Sequence, residues 1–147
     1  MEMKGGRHIA APRTIVWEKL NDPDTLKICI PGCQELTGSK DEGFEAVVKQ
    51  KVGPVRATFK GKVELRDVIE MQSYTISGSG KGGVAGFANG DAQVMLTDAE
   101  DGGTELTYDV QAKLGGKLAQ LGGRLSGSGA KKLSDEFFDR FKAEVET

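Results

Sequence analysis

Between Gln34 and Leu114 apolar and polar residues alternate, and on either side of that stretch they recur every three or four positions. The alternation predicts strands. Phe44, Ala46, Val48, Gln50 and Val52 share one face of the first, with Glu45, Val47, Lys49 and Lys51 on the other. After a Gly53-Pro54 turn, Val55, Ala57, Phe59, Gly61, Val63 and Leu65 form an inner face opposite Arg56, Thr58, Lys60, Lys62, Glu64 and Arg66. Tyr74, Ile76, Gly78 and Gly80 mark a third strand, and Gly86, Ala88, Gly90, Ala92, Val94 and Leu96 a fourth. Asp101-Gly102-Gly103 reads as a hairpin turn into a fifth, with Leu106, Tyr108, Val110 and Ala112 inward. Connections this short predict an antiparallel meander.

The flanks follow the helical period. A short strand over Met1 to Ala11 precedes a helix opened by Pro12, with Ile15, Val16 and Leu20 on its buried stripe and Trp17 at the margin. Asp22 as N-cap and Pro23 at the first helical position start a second short helix, Thr25 to Ile28, which Pro31-Gly32 stops. At the other end Leu114, Leu118, Leu121, Leu125, Leu133, Phe137 and Phe141 make one stripe of a long terminal helix, kinked or broken near Ser126 to Gly129. Gly122, Gly123, Gly127 and Gly129 weaken that helix by about 1 kcal/mol each, so it forms only against a partner surface. The order is strand, two short helices, meander, long helix: an α+β architecture in which one curved sheet wraps one helix.

At 147 residues the chain is expected to form a single domain over 1–147, with a real core and no need of disulfides or metals. A formal charge of −2 argues against a nucleic-acid partner. No apolar run is long enough for a bilayer and no export signal is visible, so a cytoplasmic protein is expected. Cys29 and Cys33 read as two reduced thiols, at least one of them buried, and His8, the sole imidazole, gives them neither a zinc site nor a base. Gly78-Ser79-Gly80-Lys81-Gly82-Gly83 matches a dinucleotide pattern by letter, but a strand follows where a phosphate-binding helix is needed, so it reads as a hairpin turn. The acid pairs Asp22/Asp24, Asp41/Glu42 and Glu100/Asp101 fall at caps and turns. No catalytic residues, metal or cofactor are expected, and the protein reads as a non-enzyme.

Several blocks together resemble one family. They are Pro12 to Trp17, Asn21-Asp22-Pro23, Cys29-Ile30-Pro31-Gly32-Cys33, Lys51-Val52-Gly53-Pro54-Val55, Phe59-Lys60-Gly61, Gly86-Phe87-Ala88-Asn89-Gly90, Gly103-Thr104-Glu105-Leu106 and Gly115-Gly116-Lys117-Leu118-Ala119. The chain resembles the carbon monoxide dehydrogenase CoxG family of the START-like (SRPBCC) superfamily over essentially its whole length, and the Ile-Pro-Gly-Cys block is the most specific part. The resemblance implies a helix-grip fold, a seven-stranded antiparallel curved sheet around a long C-terminal helix and an apolar cavity, with two short helices after the first strand. It also implies an accessory protein of a carbon monoxide dehydrogenase-type molybdenum hydroxylase, engaged in recruiting that enzyme to the inner face of the membrane.

Glycine makes up 21 of the 147 residues, and the inner face of the sheet carries Ala46, Ala57, Gly61, Gly78, Gly80, Gly86, Ala88, Gly90 and Ala92. Small residues leave space, and large dry voids are costly. Either the helix approaches closely, or a hydrophobic small molecule fills a cavity lined by Phe59, Tyr74, Ile76, Tyr108, Leu118, Leu121, Leu125 and Phe137. A lipid or quinone-like ligand fits the second reading; the quinone follows from the redox association in the resemblance, the residues themselves asking only for an apolar guest. Outside, Lys49, Lys51, Arg56, Lys60 and Lys62, joined by Arg66, form a basic face, either solvated and offset by Glu45, Glu64 and Asp67 or facing anionic headgroups or an acidic partner. Two functions follow: a non-enzymatic carrier of an apolar molecule, or a protein-interaction module with a closed core.

Overall fold

A computed structural model describes residues 2–52, 55–120 and 130–146. Strands β1 (Glu2–Ile9), β2 (Cys33–Ser39), β3 (Gly43–Val52), β4 (Val55–Ile69), β5 (Ser73–Lys81), β6 (Phe87–Asp98) and β7 (Thr104–Gly115) form one seven-stranded sheet in the order β1-β7-β6-β5-β4-β3-β2. Every neighbouring pair is antiparallel, so β2 to β7 form the expected meander and β1 joins its far edge. Helices α1 (Arg13–Leu20) and α2 (Pro23–Cys29) follow β1, the four-residue α3 (Lys117–Gln120) follows β7, and α4 (Ala130–Val145) packs on α2 and β1.

The alternating pattern sets the register. Phe44 pairs with Val63, Ala46 with Gly61 and Val48 with Phe59, so the two inner faces coincide residue by residue. Asp22 and Pro23 open α2 as expected, although the Asp22 carboxylate accepts a hydrogen bond from Thr25 Oγ1 at 2.8 Å instead of capping a backbone N–H. Pro12 stands one residue earlier than expected, as the N-cap of α1.

Three expectations are corrected. Trp17 is in the core, 4% exposed and edge-on to Tyr74 at 5.3 Å, while Ile15 is 38% exposed. The buried face of α1 is Val16, Trp17 and Leu20, so the helix is turned by one position from the expected stripe. Leu114 belongs to β7, opposite Ala88, and the terminal helix does not begin there. Gly116, at φ +66°, turns the chain from strand into α3. Gly86 is likewise no strand residue: at φ +106° it closes the β5–β6 connection, where a Cβ would collide with the Gly115 carbonyl. The helical stripe is observed on α4 as Leu133, Phe137 and Phe141; Leu121, Leu125 and the glycines at 122–129 lie outside the described residues.

The core gathers α1, the C-terminal half of α4 and the sheet about Ile9, Val16, Leu106 and Phe141. Three ties fasten α4, Arg7 to Asp135 at 2.5 Å, Tyr108 to Ser134 at 2.7 Å and Arg140 to the Ile28 carbonyl at 3.4 Å, and just past its end the Ala10 N–H donates to Glu146 at 2.6 Å.

Candidate functional site

Register sorts the inner face of the sheet into rows that run across the strands. Leu96, Leu106 and Arg7 form one row; Tyr74, Val94, Tyr108 and Gly5 the next. Then come Leu65, Ile76, Ala92, Val110 and Met3, and after them Phe44, Val63, Gly78, Gly90 and Ala112. The next row is Leu36, Ala46, Gly61, Gly80, Ala88 and Leu114. Side-chain volume in the central strands therefore falls from one end of the sheet to the other. At the bulky end the wall meets the packed core. Beyond it, under the N-terminal half of α4, lies a cavity of about 460 Å³, within the range of about 300–1,000 Å³ usual for small-molecule sites.

Of the residues named from the sequence, Tyr74, Ile76, Tyr108 and Phe137 line this cavity. Phe59 does not: its ring stands against Gly82 at the β5–β6 turn, where any Cβ would strike it. Leu118 is buried, but α3 places it against β7 and the 3-10 turn Gly83–Ala85, away from the cavity. Leu121 and Leu125 fall outside the described residues. Of the small residues, Ala46 and Ala92 line the cavity, whereas the glycines occupy the sheet beyond it. Gly90 answers to close strand approach, since a Cβ there would lie 2.9 Å from Ala112 Cα. At Gly80 the nearest atom would be 3.9 Å away, so no backbone contact demands glycine and its effect is to leave the wall bare.

Sequence reasoning missed much of the lining: Leu20 and Asn21 from the end of α1, Leu26 and Ile30 from α2, and Met3 from β1. These residues are distant in sequence and meet only because the short helices fold across the open side of the sheet. Polar groups on the cavity wall are few: Asn21, Tyr74, Tyr108 and Ser134. Tyr108 and Ser134 bond to each other, and the Asn21 amide donates to the Trp17 carbonyl at 2.9 Å. No charged side chain is among the lining residues described. Arg7 stays just outside, its guanidinium 5.1 Å from the Phe138 ring centre and 5.9 Å from that of Tyr108. Burial pushes the Tyr74 phenol well above the usual tyrosine range, so it remains a protonated donor.

The thiols are unbridged. Burial, reinforced by the Glu144 charge and opposed by Arg140, pushes the Cys29 thiol up to about 11, and burial also raises Cys33. Both are thus poor nucleophiles. His8 pairs with Asp101 at 3.0 Å at the surface. Among the described residues no cluster of His, Cys, Asp and Glu could hold a metal ion. The glycine-rich segment from Gly78 ends β5 and leads through the 3-10 turn into β6, as a hairpin connection.

On the outer face Lys51 stands opposite Arg56, Lys49 opposite Thr58, and Lys60 opposite both Val47 and Lys81. Lys62 pairs with Glu45 at 3.4 Å, and Arg66 with Asp91 at 3.4 Å. Lys49, Lys51, Arg56, Lys60 and Lys81 have no ion-pair partner among the described residues. They cluster toward the end of the sheet bearing the β3–β4 and β5–β6 connections. The opposite end carries the β2–β3, β4–β5 and β6–β7 turns, with Asp41, Glu42, Glu70, Glu100 and Asp101.

The family model of the carbon monoxide dehydrogenase component CoxG matches residues 5–146. The chain belongs to the CoxG family. Among solved structures it is similar to a conserved protein from Geobacillus kaustophilus, at 31% identity and a TM-score of 0.91, covering 99% of this chain and 95% of that one. It shares its fold with a protein from Rhizobium leguminosarum at 17% identity and TM-score 0.72, covering 99% and 94% of the two chains. A protein from Chromobacterium violaceum shares it at 12% identity and TM-score 0.71, with 99% and 98% covered. No curated protein matches the sequence. Membership of the CoxG family implies an accessory protein associated with a carbon monoxide dehydrogenase, not a catalytic component.

The blocks that carry the CoxG resemblance do structural work. In Cys29-Ile30-Pro31-Gly32-Cys33, Gly32 adopts φ +78° and its carbonyl accepts from the Lys49 N–H at 2.9 Å, while Gln50 Nε2 donates to the Pro31 carbonyl. That turn pins α2 to β3 and so holds Leu26 and Ile30 over the cavity.

Proposed function

We propose that this CoxG-family protein binds a hydrophobic small molecule, a lipid or a quinone-like compound, between sheet and α4, and serves as a non-enzymatic accessory to a carbon monoxide dehydrogenase-type molybdenum hydroxylase. The observation that carries this reading is the apolar cavity of about 460 Å³ without a charged lining residue among those described. Empty apolar volume of this size costs stability in proportion to its extent, and burying an apolar guest recovers about 25 cal/mol per Å² before ordering costs. A closed interaction module has no use for such a space.

Docking belongs to the basic end. Lys49, Lys51, Arg56, Lys60 and Lys81, without ion-pair partners among the described residues, suit an anionic surface, of the partner enzyme or of lipid headgroups at the inner side of the membrane. No described helix is long and apolar enough to cross a membrane, so any membrane contact by these helices is peripheral.

Trp17 supplies the test, since it is the only tryptophan and its ring contacts Tyr74 on the cavity wall. Titration with ubiquinone or menaquinone analogues is expected to quench Trp17 at micromolar concentrations, with a matching ligand mass in native mass spectrometry. Absence of both effects contradicts the carrier reading.

A further inference from the structure

Tyr74 is 5% exposed, lines the cavity, and has a hydroxyl with no hydrogen-bond partner among the described residues. The second cavity tyrosine differs: the Tyr108 hydroxyl is already bonded to Ser134 Oγ at 2.7 Å. The two tyrosines lie in one row with Val94 between them, two strand spacings or about 10 Å apart. One is satisfied by α4, and the other faces the boundary between packed core and open cavity.

We infer that the ligand is a neutral amphiphile, an apolar body carrying an oxygen that accepts a hydrogen bond from Tyr74. The Tyr74 hydroxyl is not among the fully buried atoms left unpaired, so it stays accessible from the cavity, and a guest that displaces solvent there has to supply an acceptor or leave the donor unpaired. Tyr74 is held in place by its edge-on contact with Trp17. Asn21 adds a second polar group on the same wall; one of its two amide N–H groups is committed to the Trp17 carbonyl, which leaves the other N–H as a donor and its own carbonyl oxygen as an acceptor. A carboxylate or phosphate head is disfavoured here, since no cation lines the cavity among the described residues and an unpaired buried anion is expensive. A ketone, quinone or alcohol oxygen meets the requirement, and a pure hydrocarbon leaves the hydroxyl unpaired. The apolar remainder then lies over Ile76, Ala92 and Val63 toward the glycine-lined end of the sheet.

This inference rests on the carrier reading, and the experiment separates their failures. The probes are 2-acetonaphthone and 2-ethylnaphthalene, nearly equal in shape and differing in the carbonyl. Their dissociation constants are measured by competition against a fluorescent apolar dye, on the full chain and on Tyr74→Phe. Tyr74→Phe is expected to weaken the ketone about five- to tenfold and leave the hydrocarbon unchanged. If both probes bind but Tyr74→Phe leaves the ratio of their affinities unaltered, a water or nothing at all engages the hydroxyl, and the inference falls alone. If neither probe binds the unmodified chain, the inference falls together with the carrier reading. Should Tyr74→Phe fail to fold, the carbonyl stretch of the bound ketone in the unmodified protein decides: a shift to lower frequency supports the bond, and a position matching that in hexane overturns it.

Discussion

At the scale of single residues, the two cysteines show how position within one turn sets chemistry. Cys29 ends α2 fully buried, while Cys33 opens β2 half-buried with its thiol donating to the Glu35 carbonyl at 3.3 Å. The ordinary value for a cysteine thiol is 9.0, and burial moves Cys29 to about 11. Below pH 9 the thiol is protonated in both folded and unfolded chains, and its contribution is intact. Between pH 9 and 11 only the unfolded chain releases the proton, so stability falls as pH rises through that window. The urea midpoint is expected to drop from pH 8 to pH 10.5, and less steeply in Cys29→Val; equal slopes in the two proteins contradict this. One buried thiol was legible from composition and spacing. The depth of Trp17 was not, since its indole sits beside Val16 in sequence and only the observed rotation of α1 brings both inward.

At the scale of elements, strands were easier to read than their ends. An alternating run fixes which side faces the core, because a slip by one residue would expose every apolar side chain. The junction of β7 with the terminal helices was misread because Leu114 and Leu118, four apart, fit a helical stripe equally well. The Gly115-Gly116 pair was the local signal for the break, and Gly116 has the positive φ that only glycine adopts without strain. Glycines at turns and on the wall should therefore respond differently. Gly86→Ala meets both a φ of +106° and the Gly115 carbonyl, and is expected to cost about 2 kcal/mol or more. Gly80→Ala, with its nearest neighbour at 3.9 Å, is expected to stay within about 0.5 kcal/mol. Equal losses in chemical denaturation contradict the distinction.

For the whole molecule, the sequence showed small residues on the inner wall and lysines and arginines gathered on the outer face, because both features follow from alternation. It did not show the lid. Leu20, Asn21, Leu26 and Ile30 reach the cavity through the path of two short helices, and no period in the chain encodes that path. Lys81 was missed for a similar reason: its place opposite Lys60 depends on the register of β5. The resulting cationic end is expected to sediment with anionic vesicles at low salt. Release should follow on doubling the salt or on combining Lys60→Glu with Lys81→Glu, as for a screened surface attraction. Failure to bind at low salt leaves an acidic protein as the surface it meets.

The central claim concerns volume. Ala92 stands between Ile76 and Val110 on the cavity wall, and Ala92→Phe places a ring in the open space. Ligand binding by this variant, measured beside the unmodified chain through Trp17 quenching and native mass spectrometry, tests the account most directly. The account predicts a folded variant, at least as stable as the parent, that takes up no ligand where the parent binds at micromolar concentration. Undiminished uptake by the filled protein, or a variant unfolded because no room existed for the ring, contradicts it.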